Sequence, residues 1–225
     1  MWSSGGRGGM LVLVVTIVLG LALISGCAGK AQQMKMTWSA GAGAGVCTYD
    51  PKDREKFEGE VDDGDTCLRV IGRIHGDREP PERLIPQKGD PVIVPNGPFG
   101  ELGFSDLGET GFDGEWLGTE DVGTLESKAW HLAVGYSYPL IRRLGIFGRV
   151  GYAFWDVEEN EVFGGVPESH SASGEDPLFG VGLNVGLLKR LFLELEWSRY
   201  MDVGEKDETG EGDLDAATFT LVFHF

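Results

Sequence analysis

Basic residues are scarce in this 225-residue chain, with 19 Lys and Arg against 36 Asp and Glu, a formal net charge of -17 and an isoelectric point near 4.5. A nucleic-acid partner needs a basic footprint, so that class of function is excluded. Cysteine is sparse as well: there are three, and an odd number in an exported chain leaves one without a partner. No apolar run reaches the roughly 20 residues that a helical membrane span prefers. Beyond residue 26 no segment sustains an amphipathic helical period.

What is present begins with Arg7, the apolar run Met10 to Ile24, and then small residues. This reads as a secretory signal over residues 1–26, with a short single-pass anchor as the alternative. The run ends in Leu23-Ile24-Ser25-Gly26-Cys27, which resembles the lipobox of bacterial lipoproteins. Cleavage before Cys27 and acylation of its thiol would leave Cys47 and Cys67 to pair; ordinary cleavage after Ala28 is the competing reading. Residues 28–35 form a short linker, and residues 36–225 suit a single domain.

Period two dominates that domain. Ala217, Phe219, Leu221, Phe223 and Phe225 alternate with Thr218, Thr220, Val222 and His224, so one strand face is wholly apolar. Phe179 to Leu187 alternate with Gly180, Gly182, Asn184 and Gly186, and similar patterns occupy residues 128–140, 144–155 and 191–201. The second face is mostly Gly, Ala and Ser with isolated charges. A soluble sandwich would turn Lys, Thr and Glu to water, whereas a narrow barrel with lipid outside needs a small face within. Strands are expected at about 36–48, 66–75, 98–107, 128–140, 144–155, 177–188, 191–201 and 214–225. The fold class is therefore all-β: an eight-stranded antiparallel up-and-down transmembrane β-barrel with long acidic external loops.

The connections alternate. Those around Arg142-Arg143 and Lys189-Arg190 are tight and basic, whereas residues 51–66, 108–127, 156–176 and 202–215 hold 27 of the 36 carboxylates and only 4 of the 19 Lys and Arg. These segments read as external loops, solvated rather than calcium-binding, because Asp62-Asp63-Gly64-Asp65 and Glu211-Gly212-Asp213-Leu214-Asp215 lack the full calcium-loop spacing. One stretch breaks the pattern. Six of the ten prolines lie between Pro80 and Pro98, a Pro-rich insertion at about 76–97 where a short periplasmic turn would suffice.

Several of these segments together resemble the OmpA-like transmembrane barrel family. Glu101-Leu102-Gly103-Phe104 through Gly108 is similar to that family's third strand, Gly135 to Leu140 with Leu144 to Gly151 to its fourth and fifth, and Leu193-Glu194-Leu195-Glu196-Trp197 to its seventh. The terminal aromatics Phe223 and Phe225 look like the signal read by the barrel assembly machinery. The likeness covers residues 98–225 well and 36–75 weakly. It implies a bacterial outer-membrane location with both chain ends periplasmic, and outer-membrane lipid and lipopolysaccharide as surroundings. It supplies no external ligand. Nothing follows Phe225, so the family's peptidoglycan-binding domain is not expected.

Strand parity turns Glu101, Arg149, Glu194 and Glu196 inward, where buried charges must pair. The resemblance implies an interior salt-bridge network that plugs or gates a narrow water path. Cys47 and Cys67 flank the first external hairpin, and a disulfide is expected there; two thiols without nearby histidines make a poor zinc site. Of the four histidines, His131 and His224 point inward and His170 lies among serines in a loop. None combines with a serine at a lipid-facing strand end, as a lipid A-modifying enzyme would require. Gly41, Gly43 and Gly45 have no following helix for a nucleotide loop and read as barrel-interior positions. The expectation is a barrel with a structural or surface-contact role. A small gated pore and a lipid A-modifying enzyme are the alternatives, and no cofactor or metal is expected.

Overall fold

Alternating sequences become strands because successive side chains leave opposite faces of an extended backbone. The computed structural model describes residues 35–52, 57–61, 64–78, 94–116, 119–204 and 211–225. Within them are β1 (Lys35–Pro51), β2 (Phe57–Val61), β3 (Asp65–Asp77), β4 (Gly97–Trp116), β5 (Thr119–Ile141), β6 (Leu144–Phe163), β7 (Val166–Leu188), β8 (Leu191–Val203) and β9 (Gly212–His224). The signal segment, Cys27, the linker through Met34 and the prolines from Pro80 to Pro91 lie outside the described residues.

Eight of the strands close into a ring. Each pairs antiparallel with its sequence neighbour, and β1 pairs with both β3 and β9, from Ser39 opposite His224 to Pro51 opposite Gly212. The short β2 stands apart from the ring and pairs with the far end of β4, Phe57 opposite Trp116. Every expected strand is found, and closure leaves the membrane-level sheet no free edge.

The acidic loops are the main departure from the sequence reading. Segments 108–127 and 156–176 continue as β-hairpins, β4 with β5 to Trp116 opposite Thr119, and β6 with β7 to Phe163 opposite Val166. The backbone ladder forms beneath acidic side chains even though like charges opposite one another weaken it, so residues that read as loop are ladder members here. The β6–β7 turn is two glycines, Gly164 (φ 58°) and Gly165 (φ 86°), as a tight primed hairpin turn requires. Strands β5 and β7 each run 23 residues, about twice the 9–11 that cross a bilayer.

Parity assigns the faces. Trp38, Val70, Leu102, Trp130, Val150 and Phe219 point outward and are each more than half exposed. This apolar band ends at a polar collar. Outward Asp106 stands opposite Lys128 and Lys128 opposite Asp156, while Arg199 faces Asp215, which in turn faces Thr48. Below the collar the strands run to tight turns and chain ends; above it stand the hairpins. The inward glycines of β1 are sites of close approach: a Cβ on Gly43 would strike the Phe219 carbonyl and one on Gly45 the Ala217 carbonyl, both on β9.

The Pro-rich insertion ends inside the barrel's turn end. Val94 is almost wholly buried, and its N–H donates to the Arg142 carbonyl in the β5–β6 turn at 3.3 Å. The Arg78 N–H donates to the Asn96 carbonyl at 2.7 Å, which ties the two described ends of the insertion together.

Candidate functional site: the filled lumen

The inward positions of five strands bring the expected charges together with His131, which was also expected to point inward, and with Arg69 and Arg73, which the sequence reading missed. Glu101 from β4 is the hub. Its Oε1 accepts from Arg69 Nη2 at 2.6 Å, from Arg149 Nη1 at 2.8 Å and lies 2.8 Å from His131 Nε2, while its Oε2 accepts from Arg73 Nε. Glu196 accepts from Arg69 Nη1 and Arg149 Nε, both at 2.7 Å, and Glu194 accepts from Arg73 Nη1 at 2.5 Å. Three guanidinium groups thus face three carboxylates, so the cluster is neutral as a unit. All six side chains are nearly or wholly withdrawn from solvent. Burial at this depth is tolerable only because every charge has a partner.

The interior glycines make room for these long side chains. A Cβ on Gly180 would come within 2.5 Å of Glu196 Oε1 and 3.1 Å of Arg149 Nε, and one on Gly103 would strike the His131 ring. Five polar atoms of the cluster have no protein partner: Arg69 Nε, Arg73 Nη2, Arg149 Nη2, Glu194 Oε2 and His131 Nδ1.

Packed layers flank the charges on both sides, apolar toward the hairpins and histidine with aromatic toward the turns. Toward the hairpins, Leu107, Leu125, Trp155, Val157, Leu178, Tyr200 and Leu214 form one buried cluster. Its two polar tips are met, Tyr200 by Ser105 Oγ at 3.0 Å and Trp155 by Asp176 at 2.8 Å. Trp155 and Tyr200 are therefore interior residues, whereas Trp38, Tyr136, Tyr138 and Trp197 do face outward. Toward the turns, the His75 and His224 rings lie tilted against each other with centroids 4.8 Å apart, Phe192 packs edge-on to His224 at 4.7 Å, and Ser39 Oγ lies 2.8 Å from His75 Nε2. The Arg73 guanidinium sits over Phe99 at 4.8 Å, which links this layer to the charges.

Cys47 and Cys67 are both buried and inward, on the paired strands β1 and β3, where Cys67 stands opposite Gly45 and Cys47 opposite Asp65. Both stand as free thiols in the structure. Phe223 and Phe225 lie on the outward face, their rings 5.3 Å apart. Three potential metal donors converge among the described residues, Glu161, Glu168 and His170, none of which the sequence reading singled out as a ligand.

A closed ring with a lipid-ready outer face and a plugged interior narrows the choice of family. The sequence profile of the OmpA-like transmembrane domain matches residues 96–225, more than half of the chain. The chain belongs to that family. No curated protein matches its sequence. Among solved structures, this OmpA-like chain is similar to Ail, the attachment invasion locus protein of Yersinia pestis, solved with the heparin analogue sucrose octasulfate. Identity is 11% and the TM-score 0.50, over 85% of this chain and 100% of Ail. OprG of Pseudomonas aeruginosa matches at 10% identity with a TM-score of 0.48, over 86% of this chain and 98% of OprG. A major outer membrane protein of Thermus thermophilus matches at 14% identity with a TM-score of 0.45, over 85% of this chain and 100% of that one. The protein is an outer-membrane β-barrel.

Proposed function

We propose that this OmpA-like barrel is a closed structural protein that presents two long acidic hairpins at the cell surface for contact with other molecules. The observation that carries this reading is the contrast between its two halves. The lumen is filled by two packed layers around a neutral charge cluster, which leaves little for transport to use. The β4–β5 and β6–β7 hairpins, by contrast, extend well past the collar and carry six and seven carboxylates over 108–127 and 156–176, with no Lys or Arg.

In this reading the turns and both chain ends face the periplasm, Cys27 is acylated into the inner leaflet, and Phe223 and Phe225 are read by the barrel assembly machinery. Lipopolysaccharide and outer-membrane lipid surround the band. Ail was solved with a heparin analogue; hairpins this acidic favour cationic partners instead, or anionic headgroups bridged by divalent cations. A catalytic role has little support. His131 bonds Glu101 inside the lumen, and the Ser39–His75 pair is also interior, away from any lipid substrate. A small gated pore is the second reading, favoured by the five unpartnered polar atoms at mid-lumen, where water is chemically acceptable.

Sidedness is tested by single cysteines on intact cells. A membrane-impermeant maleimide should label Ser173→Cys on the β6–β7 hairpin and spare Lys189→Cys in the β7–β8 turn. Labelling of the turn but not the hairpin would overturn the surface-contact role.

A further inference from the structure

Above the collar, the β6–β7 hairpin brings one imidazole together with several carboxylates. Glu161 stands directly opposite Glu168, and His170 directly opposite Glu159. Cross-strand partners share a face, so three carboxylates and one imidazole crowd a single patch, and like charges directly opposite one another oppose pairing. The hairpin supplies no Lys or Arg of its own over residues 156–176. His170 Nε2 reaches toward two of the acids, 3.5 Å from Glu161 Oε1 and 3.4 Å from Glu168 Oε2. One donor atom from each of the three residues lies within 4.8 Å of the other two. The two-glycine turn at Gly164 and Gly165 fixes the strands beside them, so the donors are held on a ladder and not on a loose tip.

We propose that Glu161, Glu168 and His170 form a binding site for a divalent transition metal of the zinc class. The donor set decides the class. An imidazole with carboxylates suits Zn²⁺ and its first-row neighbours, whereas Ca²⁺ and Mg²⁺ prefer oxygen throughout. Three protein donors leave a tetrahedral ion one position open, available to water or to a donor from a contacting molecule. The cation would also remove the repulsion between Glu161 and Glu168 and so clamp the hairpin. This inference does not depend on which side of the membrane the hairpin occupies, so it stands or falls separately from the surface-contact role.

The test is Zn²⁺ titration of the full chain, folded in detergent micelles, against a chromophoric chelator at neutral pH with excess Mg²⁺ and Ca²⁺ present. One equivalent of Zn²⁺ should bind despite that excess. His170→Ala and Glu168→Gln should each weaken binding by about tenfold or more, as loss of a direct ligand costs at least what loss of its supporting partner does. Both variants should keep the heat-dependent gel shift of the folded barrel. Equal Zn²⁺ binding by wild type and His170→Ala, or full displacement of Zn²⁺ by Ca²⁺, would reduce the patch to an acidic field and overturn the proposal. A protonated His170 acting as the cation would overturn it too, because no Zn²⁺ would then be retained.

Discussion

Replacing Glu101 with alanine should be among the most damaging single changes to this barrel. The side chain meets Arg69, Arg73, Arg149 and His131 at once. Its loss leaves three guanidinium groups facing two carboxylates, an uncompensated positive charge in a space that excludes solvent. Removing one partner of a buried pair costs about 3–5 kcal/mol, against about 0–1 kcal/mol for an exposed pair. The assay is reversible urea unfolding in lipid vesicles, followed by tryptophan fluorescence and by the heat-dependent gel shift. Glu101→Ala should lose stability near the upper range. Adding Arg73→Ala restores neutrality, so the double variant should be more stable than the sum of the two single losses implies. A loss below about 1 kcal/mol, or strict additivity, would refute the view that the cluster acts as one neutral unit.

Other outcomes follow from the same geometry. Gly180→Ala should lose about 1–3 kcal/mol, because its Cβ meets the Arg149–Glu196 pair, whereas Gly72→Ala, with open space around it, should fold as the wild type does in the same assay. In protein taken from the cell envelope, Cys47 and Cys67 should be joined, both thiols giving up hydrogen to a periplasmic protein disulfide that is thereby reduced; maleimide uptake before any reductant is added would contradict this. Above the collar, Asp65 accepts the N–H groups of Glu109 and Thr66, which hold its carboxyl below its ordinary 3.8. A lowered folded value stabilises above the unfolded value and is lost as pH falls through the folded one. Protection of the Glu109 amide from hydrogen exchange should therefore persist from neutral pH down to about 4 and fail in Asp65→Ala, which removes the acceptor, at every pH.

The ring of eight strands was legible because lipid outside and a crowded lumen inside impose a clean period of two. The same parity placed Glu101, Arg149, Glu194 and Glu196 inward. Arg69 and Arg73 escaped because their strand mixes the faces: Ile71 points inward between them while Gly72 points outward, so neither face looks distinctly apolar. Residue type alone would put Trp155 and Tyr200 in an interfacial belt, but Trp155 shares the parity of Gly151 and Ala153, and Tyr200 that of Glu196 and Ser198, and both are buried. Parity was the better guide. The extended hairpins left no such trace, because above the collar neither face is lipid and acidic residues occupy both. The grouping of Glu161, Glu168 and His170 depends on hairpin register, which the tight turn at Gly164 and Gly165 sets.

The proposed closed barrel depends on a lumen filled by packing and by a neutral, buried charge cluster. Planar-bilayer recording of the purified, folded full chain tests it most directly, with Arg149→Ala beside the wild type. Flat traces are expected from the wild type. Discrete conductance steps in the wild type, altered in size or frequency by Arg149→Ala, would contradict it and establish a gated pore.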